Sequence, residues 1–201
     1  MKYINQRDYP DVSYITMTEM DEASREAGKS TPVFCSGCGL AAAVIVADRL
    51  LINSDFGLED ALRISYASNA NILTGTRYYR FAPAFAEELG LVWETANDPE
   101  DLLRCLHTGG AAVIHTGGDR EGHVGVFSYE GHFVVAVSQE RDGRIALLDP
   151  YYHEGWYERG GIRRPVEVKR IKNGVLTLCD MQVIMDDSAT IEPRFHLFWR
   201  K

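Results

Sequence analysis

Residues 35–51 read CSGCGLAAAVIVADRLL. From Gly39 onward the stretch is rich in alanine and leucine and is too long for a typical strand, so it predicts a buried helix. Small residues precede it, and the helix is expected to begin at the motif Cys-Ser-Gly-Cys-Gly. The stretch therefore predicts a thiol at the head of a buried helix.

Cys38 is the candidate nucleophile of this motif. A helix N-terminus carries about half a positive charge and free N–H groups, which favour the reactive thiolate. Gly37 and Gly39 allow close backbone approach and leave room for a substrate carbonyl. Two other interpretations stay open, Cys38 as a small buried apolar residue and Cys35 with Cys38 as a thioredoxin-type redox pair. The redox interpretation expects a preceding strand, and residues 29–34 are a poor strand.

Helices dominate the first part of the sequence. Asp98 and Pro99 form a start signal for one of them, and Gly90 is a good C-terminal residue for another. A loop or short helix is expected at 18–27. The predicted longer helices cover residues 39–51, 57–69, 78–89 and 99–107.

The chain then changes to the short apolar runs that are typical of strands. Asn173-Gly174 joins two of these runs and is the strongest hairpin signal, while residues 141–144 join another two. The predicted strands cover residues 91–95, 111–115, 133–137, 145–148, 166–171, 175–180 and 195–200. Helices followed by antiparallel strands predict an α+β fold.

A histidine and an acid lie at the open end of one predicted hairpin. Residues 134–137 are expected to pair with residues 145–148. That register puts Asp149 opposite Phe133 and next to His132. The carboxylate could then accept a hydrogen bond from the imidazole, fix its tautomer and stabilise its protonated form. His132 and Asp149 are therefore the candidate base and orienting acid.

His123 also follows a glycine and rivals His132 as the base. Its expected acid, Asp142, lies in a turn that would be solvated, so His132 is preferred. Zinc binding is a further interpretation, with ligands drawn from Cys35, Cys38, His123 and His132. It is disfavoured because a second cysteine pair is missing. No metal or organic cofactor is therefore expected.

Four motifs together resemble the papain-like cysteine peptidases, and most nearly their bacteriocin-processing (double-glycine leader) branch. The motifs are Gln6, Cys38-Gly39-Leu-Ala-Ala, Gly131-His132-Phe-Val-Val and Leu148-Asp149-Pro150. The resemblance spans Gln6 to about Tyr152. It implies one papain-like domain over 1–201, with a helical lobe at about 1–110 and a β lobe at about 111–201.

The resemblance also implies a role for each matched residue. Cys38 is the nucleophile, His132 the general base and Asp149 the acid that orients it. Gln6 donates to the oxyanion together with the Cys38 backbone N–H. In papain-like enzymes this glutamine usually lies only a few residues before the cysteine, whereas here 32 positions separate them. An insertion at 7–35 could still leave Gln6 in place.

The composition fits a soluble globular protein, with 45% apolar and 25% charged residues. A net charge of −8 argues against nucleic acid or an anionic membrane as the main partner. Four cysteines in 201 residues are too few for a disulfide scaffold and suit a reducing compartment. No apolar run reaches the length of a membrane span, and no secretory signal is visible, so a cytoplasmic location is expected.

Together these patterns predict a thiol hydrolase whose partner is a peptide or a small-molecule amide. Transfer of the acyl group to an amine instead of water is a variant of the same chemistry. Two alternatives from other classes remain, an oxidoreductase that uses Cys35 and Cys38, and a catalytically silent peptide-binding module of the same fold. The first predicts that Cys35→Ser abolishes activity, and the second predicts no enhanced alkylation of Cys38.

Overall fold

The computed structural model describes residues 3–15, 30–51, 55–72 and 75–201. The predicted loop or short helix at 18–27 lies outside these ranges. Near the N-terminus, a 3₁₀ turn at Gln6–Asp8 leads to strand β1 (Ser13–Ile15), which pairs antiparallel with β2 (Ser30–Pro32). This pairing brings the N-terminal segment beside the start of the cysteine motif.

The four longer helices that the sequence predicts are all present in the described ranges. Every residue of the second helix from Cys38 to Ala47 is buried, which explains why its sequence has no polar face. The predicted stop at Gly90 is also present, in the left-handed conformation with φ of 63°. The helices are α1 (Val33–Ser36), α2 (Cys38–Leu50), α3 (Leu58–Ala67), α4 (Tyr78–Leu89), α5 (Pro99–His107) and α6 (Met181–Asp187).

Seven strands form one antiparallel sheet, and two short strands, β3 (Asn71–Ile72) and β4 (Gly75–Thr76), pair separately. The order across the large sheet is β5-β11-β6-β7-β8-β10-β9. Its strands are β5 (Leu91–Ala96), β6 (Ala111–Thr116), β7 (His132–Gln139), β8 (Ile145–Leu148), β9 (Glu167–Ile171), β10 (Gly174–Cys179) and β11 (Phe195–Arg200). Each predicted strand is thus present, within two residues at its ends.

Both faces of the sheet centre are buried. One core combines α2 with the face that carries Val135 and Leu148, and the other combines α5 and α6 with the face that carries Val134 and Leu147. Successive residues of β7 therefore enter different cores. This explains why β7 and β8 are continuous apolar runs without alternation.

The chain is α+β with a large antiparallel sheet, but a helical first half is not confirmed. The strands β1 to β5 all lie before residue 97, and α6 lies in the second half. The cause is the last strand, β11, which returns to pair with both β5 and β6. Strands distant in sequence are therefore neighbours in the sheet.

Gly39 allows α2 to approach the sheet closely. A Cβ at this position would lie 2.8 Å from Cβ of Thr76 and 3.4 Å from a ring carbon of Phe133. The first of these contacts is closer than Cβ atoms adopt, so only glycine fits here without movement of β4. The glycine thus serves helix packing, and it sets the N-terminus of α2 beside the start of β7.

Candidate active site

Cys38 is the first residue of α2 and follows Gly37, which ends α1 and precedes α2. The N–H groups of the first helical turn have no partner within the helix, so they can face an anion. Cys38 is 9% exposed, and it lines a groove of about 340 Å³. The fold therefore leaves this thiol buried on most sides and accessible from one.

His132 is the first residue of β7 and is buried beside Cys38. Its Nε2 lies 2.8 Å from Oδ1 of Asp149, which leaves Nδ1 for the Cys38 side chain within hydrogen-bonding reach. Burial acts to lower the pKa of His132, but the Asp149 carboxylate and the Cys38 side chain outweigh it and raise that pKa to about 10. The imidazole is therefore suited to take and hold a proton.

Asp149 is 1% exposed, and a set of donors holds its carboxylate. Oδ1 also accepts a hydrogen bond from the backbone N–H of Tyr151 at 2.8 Å, and Oδ2 accepts one from the hydroxyl of Tyr157 at 2.7 Å. Thr177 on β10 donates in turn to the Tyr157 hydroxyl at 3.1 Å. Sequence reasoning missed the roles of Tyr157 and Thr177, since only their aromatic or strand context was visible.

The predicted register of β7 and β8 is wrong by one residue at the open end of the hairpin and by two at the turn, and the observed register is the one that brings Asp149 to His132. Val135 pairs with Leu148, so Asp149, one residue further, falls opposite Val134. Val134 shares its face of the sheet with His132, two residues away, whereas Phe133 points to the other face. The predicted register would have turned Asp149 away from His132.

A β-bulge is the cause of this register. The pairing of β7 with β8 shifts by one residue between Ala136 and Ser138, which leaves Val137 without a partner. Continued without the shift, the register near the hairpin turn would put Asp149 opposite Val135, on the face away from His132. The bulge therefore selects the face on which Asp149 lies.

Gln6 lines the same groove as Cys38 despite the long separation in sequence. Its backbone N–H donates to the Pro150 carbonyl at 2.8 Å, which ties it to the segment that carries Asp149. Its Nε2 donates to the Phe34 carbonyl at 2.9 Å and, at 3.4 Å, to that of Val33. Gln6 is 2% exposed, and its Oε1 has no partner among the described residues.

Aromatic residues form part of the groove walls. Tyr151 and Trp156, which follow Asp149-Pro150 in the sequence, form one side with their ring centroids 5.2 Å apart. The loop between β6 and β7 supplies residues 127–131, and the opposite side comes from the N-terminal segment and the cysteine motif. The groove is lined by Gln6, Cys35, Ser36, Cys38, Phe127, Ser128, Tyr129, Glu130, Gly131, His132, Tyr151 and Trp156.

The rival histidine has a different acid from the one predicted. His123 Nε2 lies 2.8 Å from Oδ1 of Asp187, whereas Asp142 is bound to Arg144. His123 does not line the groove that contains Cys38. In the described ranges, no group of three or more His, Cys, Asp or Glu side chains could hold a metal ion.

Cys35 is exposed, is not in a disulfide and lines the same groove as Cys38. The redox interpretation expects the motif to lie in a βαβ unit with parallel strands. Every strand pair recorded in the described chain is antiparallel instead. The surroundings of the Cys-x-x-Cys motif are therefore not those of a thioredoxin-type site.

Comparison with known proteins gives a likeness of fold. A crystal structure of a proposed C39-like peptidase from Bacillus anthracis matches with a TM-score of 0.52 and 12% sequence identity, over 95% of this chain and 98% of that chain. No protein-family model and no curated protein matches the sequence. The chain thus shares its fold with that C39-like structure across nearly its whole length. None of the described helices is long and apolar enough to cross a membrane.

Proposed function

We propose that this protein is a cysteine peptidase or amide hydrolase of the papain-like type. Cys38 is the nucleophile, His132 the general base and Asp149 the acid that orients the imidazole. The observation that carries the proposal is the buried 2.8 Å contact between His132 and Asp149, beside a thiol at a helix N-terminus. The fold that the chain shares with a C39-like structure supports the same activity. The sequence motifs further favour the bacteriocin-processing branch and a peptide substrate.

The reaction proceeds through an acyl-enzyme. His132 takes the Cys38 proton on Nδ1, and the resulting thiolate then forms a bond to the substrate carbonyl carbon, whose oxygen becomes the oxyanion. The C–N bond then breaks, and His132 gives the proton to the leaving amine. Water, deprotonated by His132, attacks the thioester, releases the acid and restores the thiol; an amine in place of water gives acyl transfer. A base positioned in this way contributes about 10²–10⁴-fold to the rate.

The oxyanion of the tetrahedral intermediate would accept hydrogen bonds from two donors. One is the Cys38 backbone N–H at the head of α2, which points away from the helix body. The other is Gln6 Nε2, whose contact with the Val33 carbonyl is long at 3.4 Å, so the hydrogen on that side is held weakly and could be donated to a ligand instead. Loss of one such donor costs about 10²–10³-fold in rate, so Gln6→Ala should retain measurable turnover.

Alkylation by iodoacetamide tests the proposal. The reaction is run across a range of pH, and mass spectrometry identifies the modified cysteines. Cys38 should be modified selectively below pH 7, and His132→Ala should remove this selectivity. Cys105 and Cys179 serve as internal controls, because burial raises the pKa of each thiol to about 12. Slow and equal labelling of Cys38 and Cys35 near pH 8.5 would contradict an activated nucleophile.

A turnover assay separates the proposal from the redox alternative. With a peptide library as substrate, Cys38→Ala should abolish cleavage and Cys35→Ser should retain it. Cys35 is the matched control because it lies three positions away and lines the same groove. Loss of all activity in Cys35→Ser would favour the oxidoreductase instead.

A further inference from the structure

A second cavity, of about 330 Å³, meets the groove at Cys38. The two cavities share Cys38, Glu130 and Gly131, and the other lining residues differ. The second cavity is walled by Cys38, Ile72, Thr76, His115, Glu130, Gly131 and Phe133. It is large enough to hold one long side chain of a substrate whose reacting carbonyl lies at Cys38. The mechanism above uses none of its walls except Cys38 itself.

The walls of this second cavity are apolar apart from a few groups. Phe133 and Ile72 provide apolar surface, and the Thr76 hydroxyl is already bound to the hydroxyl of Tyr14 at 3.0 Å. No lysine or arginine of the described chain lines it. Among the described residues that line this cavity, the groups left to recognise a ligand are His115 and Glu130.

His115 is a partly buried imidazole without a hydrogen-bond partner in the described ranges. Its ring packs against Phe133 with the centroids 4.3 Å apart. Its Nε2 lies 3.6 Å from the place where a Cβ on Gly131 would stand, so the missing side chain keeps this nitrogen accessible. Burial, with His132 as a second cause, lowers the pKa of His115 to about 4. The ring is therefore neutral at pH 7 and offers one nitrogen as an acceptor.

Glu130 stands at the junction of the two cavities. Glu130 is exposed, and its carboxylate has no hydrogen bond or ion pair with any residue of the described chain. Its backbone N–H is held by the Ser128 hydroxyl at 3.0 Å, which fixes the direction of this part of the loop. Because Glu130 lines both cavities, its unpaired carboxylate would attract a cation that enters the second cavity.

We propose that the second cavity is a subsite for a basic side chain of the substrate, a lysine or arginine residue close to the bond that is cleaved. The proposal rests on the function proposed above. The aliphatic stem packs on Phe133 and Ile72, while the cationic end lies between the Glu130 carboxylate and the His115 nitrogen. A purely apolar side chain would leave the His115 nitrogens without partners, and an acidic one would meet Glu130. The net charge of −8 also favours the approach of a basic peptide.

Pairs of tripeptidyl chloromethyl ketones test this subsite. Within each pair, one reagent has lysine and the other norleucine at the same position, and one pair is made for each of the three positions. The two side chains have similar length and differ in charge, and alkylation of Cys38 by the intact protein is followed by mass spectrometry. At one position, lysine should raise the second-order rate of alkylation about tenfold over norleucine. The proposal is overturned if no position prefers lysine.

Two variants assign the preference to these residues. Glu130→Gln and His115→Leu should each reduce the ratio of the alkylation rate with the lysine reagent to the rate with the norleucine reagent. Glu121→Gln is the matched control, because Glu121 lies in the same loop, is exposed and lines neither cavity. A lysine preference that survives unchanged in both variants would contradict the subsite.

Failure of the subsite and failure of the nucleophile can be told apart. Iodoacetamide is too small to need the second cavity, so its selectivity for Cys38 reports on the proposed function alone. If that selectivity is absent, calorimetry on the Cys38→Ala protein with lysine and norleucine tripeptide amides still tests the cavity. The lysine peptide should bind about tenfold more tightly, and equal affinities would overturn the subsite.

Discussion

Two histidine–aspartate pairs of this protein have the same contact and different surroundings. In both His132–Asp149 and His123–Asp187, an imidazole Nε2 lies 2.8 Å from a carboxylate oxygen whose side chain is fully buried. Asp149 also binds a tyrosine hydroxyl, and its histidine faces a thiol. Asp187 instead accepts hydrogen bonds from the backbone N–H groups of Val126 and Phe127. A hydrogen-bonded histidine and acid therefore do not by themselves make a catalytic site.

The second pair anchors the loop that forms the groove. Asp187 ends α6, and its backbone carbonyl also accepts a hydrogen bond from the Gly117 N–H at 2.8 Å. It thus holds the loop between β6 and β7 at its start and again at Val126 and Phe127. Residues 127–131 line the groove and lead directly into His132. His132 of the first pair lines the groove with Cys38, whereas the second pair holds the loop that forms part of the wall beside it.

Replacement of each histidine should give the largest difference between the two pairs. His132→Ala should lower kcat/KM by about 10²–10⁴-fold, because the Cys38 proton loses its acceptor. His123→Ala should keep kcat/KM within a few-fold, since His123 does not line the groove. Cleavage of one peptide substrate under identical conditions measures both. Equal losses in the two variants would mean that the two pairs act together in the reaction.

Replacement of Asp187 should lower the stability of the protein. Asp187→Ala leaves two buried N–H groups and His123 without their acceptor, at about 1–3 kcal/mol for each unsatisfied group. Urea unfolding should therefore show a loss of several kcal/mol in the free energy of unfolding. Asp186→Ala is the neighbouring control, since its side chain is exposed and bound to Gln182; a change within about 0.5 kcal/mol is expected. A similar small change in Asp187→Ala would contradict the anchor.

The smallest expected effect concerns the support of Asp149. Tyr157→Phe removes one hydroxyl that joins the carboxylate to Thr177 and leaves the ring in place. We expect a loss of about 1–2 kcal/mol in stability and less than a tenfold drop in kcat. Urea unfolding and initial rates measure the two quantities. A drop in kcat as large as that of His132→Ala would give Tyr157 a direct part in the chemistry.

Helices and strands were predictable because they depend on short-range patterns. The apolar run of α2, the stop at Gly90 and the hairpin at Asn173-Gly174 each depend on a few adjacent residues. The order of the strands in the large sheet was not predictable from such patterns. The last strand, β11, lies between β5 and β6, from which it is separated by about 80 to 100 residues. Which acid serves His123 was likewise hidden, since Asp187 lies 64 residues further along the chain.

Short-range sequence patterns therefore predict the helices, the strands and the candidate residues Cys38, His132 and Asp149. The face on which Asp149 lies depended on the bulge between Ala136 and Ser138. The apolar runs of β7 and β8 could not reveal it, because strands buried on both faces fit more than one register equally well. Packing against α2 and α5 removes that freedom, and it brings the carboxylate to the imidazole.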